Sequence, residues 1–145
     1  MKVVVQKVTY SSVTVDGKLI NEINNGLNVL VGFTSGDSSK EIDYLVNKIV
    51  NLRIFDDENG VMNKSVKDIG GSILLISQFT LYGDASKGNR PSYVKALGGE
   101  EASPLYDEMT KKLNDIVPTY TGVFGADMKV VIHNDGPATI IIESK

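Results

Sequence analysis

The stretch from Gly70 to Asp84 constrains the fold most. Gly70 and Gly71 allow a tight turn, and Ile73-Leu74-Leu75-Ile76 follow without a polar break. Four consecutive aliphatics bounded by turn residues predict a strand buried on both faces, so the chain must cover a sheet from two sides. The run then ends in Ser77, Gln78 and Thr80 around Phe79. Polar groups at the end of a buried strand either rim a cavity or fade into an ordinary surface loop, and composition leaves both readings open.

The remaining bounds are set by what is missing. With 145 residues the chain fits one domain, 1–145, large enough to bury a core without cross-links. It has no cysteine, which excludes disulfides and thiolate metal sites and agrees with a reducing compartment. The apolar run near Met1 is too short for a signal peptide, and no stretch approaches the roughly 18 apolar residues of a membrane span. The expectation is a cytoplasmic protein with no membrane partner. A net charge of −3 argues against a broad nucleic-acid footprint, so any such contact must be local.

Along the chain, Lys2 to Thr9 suits a strand. Asp16-Gly17 between Val13, Val15, Leu19 and Ile20 marks a hairpin. Leu27 to Phe33 predicts a second buried strand. Ser38 and Glu41 form a capping box before Ile42, Leu45, Val46 and Ile49, which predicts a helix ending near Asn51. A short strand is expected over Leu52–Phe55, then a solvated acidic turn, Asp56 to Gly60. Gly83 to Gly99 reads as an irregular segment with the one local basic patch, Lys87, Arg90 and Lys95. Ser103-Pro104 should start a second helix, with Leu105, Met109, Leu113 and Ile116 on its buried face. Strands at Met128–Ile132 and Thr139–Glu143 should flank a turn at Asn134 to Pro137. The total is seven or eight strands and two helices.

The chemistry available is narrow. His133 is the only histidine, so no zinc cluster of the usual kind is available. It reads as a structural or exposed residue rather than a triad member. There is no Walker loop and no dinucleotide fingerprint. An enzyme built from this sequence must use backbone donors, hydroxyls and the substrate itself. Two stretches suit that description, Ser77 to Thr80 and Asn134 to Thr139. A Gly-Pro bond in a tight turn is also suited to a fixed, unusual backbone geometry.

Ser77-Gln78-Phe79-Thr80-Leu81 and Asn134-Asp135-Gly136-Pro137-Ala138-Thr139 resemble the two signature motifs of the D-aminoacyl-tRNA deacylases, also called D-tyrosyl-tRNA deacylases. The resemblance covers essentially the whole chain, including Asp16-Gly17, Lys48 to Phe55, Lys87 to Ser92 and Phe124 to Met128. Departures are small: Ala138 stands where valine is usual, and Tyr93 where phenylalanine is.

The resemblance implies an α/β domain with two packed, barrel-like β-sheets and two main helices on one side. It implies a homodimer with active sites at the interface. The reaction is hydrolysis of the ester joining a D-amino acid, or glycine, to the 3′-terminal adenosine of tRNA, with no metal or organic cofactor. Ser77, Gln78, Phe79 and Thr80 would form the catalytic stretch, with backbone N–H groups near Gln78 and Phe79 as the oxyanion hole. Thr80 is either a nucleophile or a positioning group beside substrate-assisted hydrolysis by the ribose 2′-OH; the second reading is favoured, since no base is visible to activate the hydroxyl. Gly136 and Pro137 would be a cross-subunit Gly-cisPro element rejecting L-amino acids, with Asn134 and Thr139 beside it in substrate binding. Phe124 and Met128 would line the adenosine pocket. Lys87 and Arg90 are expected to touch tRNA phosphates. The alternatives are a dimeric nucleic-acid-binding module on the same fold without turnover, and a related editor with a trans Gly-Pro bond.

Overall fold

The computed structural model describes residues 1–144. Its framework is a six-stranded sheet ordered β2-β1-β3-β6-β7, with β8 on the opposite edge of β1. The strands are β1 (Lys2–Val15), β2 (Lys18–Ile23), β3 (Gly26–Gly32), β6 (Ser72–Ser77), β7 (Thr119–Thr121) and β8 (Lys129–Glu143). β4 (Phe55–Asp56) and β5 (Met62–Lys64) form a separate two-stranded sheet.

β1 explains the curl. Its first half pairs with β3 and its second half with β2. Val3 and Val5 lie in one buried cluster and Val8 and Val13 in a second. One strand thus serves two cores, and the sheet folds over itself towards a barrel. The seam is nearly closed at the far side, where the Asn21 side-chain amide donates to the Thr121 carbonyl at 2.6 Å.

β3, β6 and β7 run parallel, which requires long crossovers. The helices α1 (Ser39–Asn51) and α2 (Gly99–Asn114) supply them. The capping box forms as expected, with Ser38 and Glu41 exchanging hydrogen bonds at the start of α1. Ile42, Leu45, Val46 and Ile49 pack with Ala102, Tyr106, Met109 and Leu113 over Ile73 and Leu75. Leu74 and Ile76 point the other way, into the cluster with Val8, Val13 and Ile23. The central strand is therefore covered on both faces, as its sequence requires.

Three expectations need correction. α2 begins at Gly99, not at Ser103-Pro104, and Pro104 lies inside it. Burial of Ala102 anchors an extra turn ahead of Pro104, whose ring faces solvent. The buried stripe is accordingly 102, 106, 109 and 113, while Leu105 is half-buried and Ile116 exposed. Asn134 to Pro137 does not reverse the chain. β8 is one strand whose two halves both pair with β1, so the segment bulges out of a continuous ladder. The strand expected at Leu52–Phe55 is reduced to Phe55–Asp56.

Candidate active site

Ser77 closes β6, and the Gln78 N–H still donates to the Val31 carbonyl at 2.7 Å. The chain then tightens into a 3₁₀ turn, Phe79–Tyr82. Gly32 makes this possible. A Cβ there would stand 3.0 Å from the Gln78 carbonyl oxygen, 3.2 Å from Leu81 Cβ and 3.3 Å from the Tyr82 ring. The turn packs onto bare backbone.

This geometry decides which backbone N–H groups around the turn are free. The N–H of Gln78 is consumed by β3, whereas those of Phe79 and Thr80 face no protein acceptor among the described residues. The first residues of a helical turn have no internal partner for their N–H groups. The free donors are therefore Phe79 and Thr80. The Thr80 hydroxyl is held by the Gln78 side-chain amide. Among the described residues, no histidine, lysine or carboxylate hydrogen-bonds to it.

A cavity of about 600 Å³ opens beside this turn. Ser77, Gln78 and Phe79 line one side, and Phe124 and Met128 line another. Five expected residues thus meet in one space. The Phe124 ring is backed by Tyr106 at 5.6 Å between centroids. Tyr106 is fixed by its hydroxyl donating to the Leu75 carbonyl at 2.6 Å, and burial pushes its titration well above the ordinary tyrosine value. Tyr93, Leu97 and Ala102 complete the apolar walls. Sequence reading missed these residues, because small and apolar side chains carry no chemical signal. The one local hint was Tyr93, which follows the resembling segment Lys87 to Ser92 and stands where phenylalanine is usual.

Gly136, Pro137, Asn134 and Thr139 do not line this cavity. They sit on β8, where the Gly136–Pro137 bond is cis and Gly136 has φ +113°. Asn134 is consumed within the chain. Its amide donates to the Lys7 and Ala138 carbonyls, both at 3.0 Å, and its oxygen accepts from Gln6 and from the Thr139 hydroxyl. Lys7, largely buried, pairs with Asp135 at 3.5 Å. Asn134 and Thr139 therefore brace the bulge within the chain, and Gly136 and Pro137 are left exposed at its tip.

Lys87 and Arg90 do not line the cavity either. They lie on an exposed loop cinched at its base by two hydrogen bonds of 2.8 Å between Asp84 and Ser92. A hydrogen bond from Ser86 holds the Asp84 carboxyl below its ordinary titration range.

Fold and pocket define a mixed α/β domain whose cavity opens where its central strand ends. The chain belongs to the family of hydrolases described as D-Tyr-tRNA(Tyr) deacylase, whose model matches residues 4–143. It is 58% identical over 146 aligned residues to a protein of Clostridium tetani (strain Massachusetts / E88) named D-aminoacyl-tRNA deacylase, covering 100% of this chain and 98% of that one. A protein of the same name from Clostridium acetobutylicum is 53% identical, with the same coverage. A solved structure described as "c-Myc DNA Unwinding Element Binding Protein" superposes with a TM-score of 0.95 at 44% identity, covering 100% of this chain and 99% of that one. A probable eukaryotic D-amino acid tRNA deacylase superposes with a TM-score of 0.83 at 16% identity over 97% of each chain, a likeness of fold alone. No helix among the described residues is long and apolar enough to cross a membrane.

Proposed function

We propose that this chain is a cytoplasmic D-aminoacyl-tRNA deacylase of one domain, working as a homodimer with an active site at each side of the interface. The observation that carries this reading is the cavity that joins the end of β6 to Phe124 and Met128. Its volume suits a small nucleoside ester, given that ligand pockets span roughly 300–1,000 Å³. The adenosine lies against Phe124 and Met128, and the ester carbonyl lies at the mouth of the 3₁₀ turn.

Water adds to the ester carbon there. The oxyanion that forms accepts hydrogen bonds from the N–H groups of Phe79 and Thr80. The bond from carbonyl carbon to the ribose 3′-oxygen then breaks, releasing the free amino acid and tRNA. The neighbouring 2′-OH orients the water, takes up the proton the water loses and passes its own proton to the departing 3′-oxygen. Thr80, with no base beside it, positions groups through its contact with Gln78. Glycine, which lacks a side chain, passes the same selection as a D-residue.

Gly136 and Pro137 reach into the partner's cavity and reject L-amino acids through crowding and backbone carbonyls. Their exposure, outside their own protomer's cavity, supports this. A backbone selector reads handedness without reading the side chain. Lys87 and Arg90 contact phosphates near the acceptor end, where a loop carrying charge on an otherwise acidic protein gives local attraction.

A second reading has one observation in its favour, the 44%-identical structure described as a DNA-unwinding-element binding protein. Single-turnover hydrolysis of D-Tyr-tRNA separates the two, because a binding module releases no free D-tyrosine. The same assay tests the mechanism. Thr80→Ala should retain measurable activity, while a tRNA ending in 2′-deoxyadenosine should react on the order of 10² times more slowly. A dead Thr80→Ala with normal turnover of the deoxy substrate, or an acyl group captured on Thr80, would establish Thr80 as the nucleophile instead.

A further inference from the structure

The 3₁₀ turn has a restraint that neither motif contains. Lys2 opens β1, directly across the ladder from Gly32. Its ammonium donates to the Leu81 carbonyl at 3.3 Å and lies 4.9 Å from the centroid of the Tyr82 ring. Among the described residues it forms no ion pair, although Glu143 lies opposite it on β8. The nearby Asp37 is already engaged by the Met1 ammonium at 2.9 Å. A lysine at a strand start ordinarily keeps its charge in water, since ordering the side chain costs rotamer entropy. Here the charge is directed onto one carbonyl and one ring of the same turn. Tyr82 is itself buried, its hydroxyl has no partner among the described residues, and burial pushes its titration up to about 12.

The turn is therefore held at three points. Gln78 N–H ties its start to Val31, Gly32 forms its floor, and Lys2 fixes its end. Between the first and last of these lie the free N–H groups of Phe79 and Thr80. We infer that Lys2 is a positioning residue for the active site, clamping Leu81 and Tyr82 so that the two backbone donors stay aimed at the ester carbonyl. The kinetic consequence rests on the deacylase reading; the mechanical one does not. A cation over a ring and a charge-assisted bond to a carbonyl are both available to arginine, and neither is available to methionine.

The test compares wild type, Lys2→Met and Lys2→Arg in single-turnover deacylation of D-Tyr-tRNA over a range of enzyme concentrations. Amide hydrogen exchange is followed on the same samples. In Lys2→Met the maximal rate should fall about 10- to 100-fold while the half-saturating concentration moves less than about twofold, as expected for misplaced donors. Exchange should quicken at the hydrogen-bonded amides of Leu81 and Gly83 and stay unchanged in α1 and α2. Lys2→Arg should restore most of the rate and the protection. A wild-type rate in Lys2→Met would overturn the inference. So would equal losses in both variants, or faster exchange spread through the whole sheet. Should wild type itself leave D-Tyr-tRNA intact, the deacylase reading fails, and exchange alone decides the clamp: quickening confined to the turn supports it, and unchanged exchange overturns it.

Discussion

At the scale of single residues, the proposed chemistry depends on positions where a side chain is absent. Gly136 has φ +113°, and an added Cβ would stand 2.9 Å from the Ala138 nitrogen. Alanine there is strained on both counts. Gly136→Ala should therefore displace the exposed tip without touching the 3₁₀ turn. The expected result is a loss of D-over-L preference on the order of tenfold or more, from a misplacement of about 1 Å. Initial rates on D- and L-Tyr-tRNA measure this, and an unchanged preference would remove the selector role from this bulge. Much of this was legible in the sequence. Ser77 to Thr80 announced themselves as polar groups ending an aliphatic run, and Gly136-Pro137 as a rigid backbone element. The fate of the Gln78 N–H was not legible, because its acceptor, Val31, is a partner across the sheet. Nor was the bracing role of Asn134, whose partners Lys7 and Gln6 lie more than 120 positions away in sequence.

At the scale of elements, local signals succeeded where their partners were local. The start of α1 was readable because Ser38 and Glu41 satisfy each other within one turn. The Glu41 carboxyl is held below its ordinary value of 4.5, first by the Ser38 side chain and then by the Ser38 backbone. A lowered folded-state value means the contribution is complete above 4.5 and is lost as pH falls through the folded value. Ser38→Ala should cost about 1 kcal/mol near neutral pH. It should also flatten the acid limb of the stability curve, since Glu41 then loses its main reason to stay charged. Urea unfolding between pH 3 and 7 checks both, and an acid limb parallel to that of wild type would refute the assignment. The start of α2 was misread for the opposite reason. Ser103-Pro104 is a good local signal, but burial of Ala102 against the core outweighs it. β7 escaped notice altogether, since a three-residue strand owes its existence to β6 beside it.

At the scale of the molecule, β8 presents an outer edge of 15 residues that pairs with no strand among the described residues. Ile141 on it is 67% exposed, and Val131 and Ile140 are exposed as well. Long aliphatic edges are normally covered. A two-fold pairing of this region would cover it and carry each Gly136-Pro137 tip to a partner. Sedimentation should accordingly find a dimer, and dilution or mutation to monomers should abolish deacylation; a fully active monomer would break the shared-site account. The sequence suggested two layers of strands, but not that one long β1 serves both cores, since that depends on where each half finds its neighbour. The account as a whole stands on selective hydrolysis. The most direct measurement is the rate at which the purified wild-type protein, in excess, deacylates D-Tyr-tRNA and L-Tyr-tRNA. The account predicts release of free D-tyrosine at a rate exceeding that of L-tyrosine by a factor on the order of 10² or more. Equal rates on the two substrates, or no release from either, would contradict it.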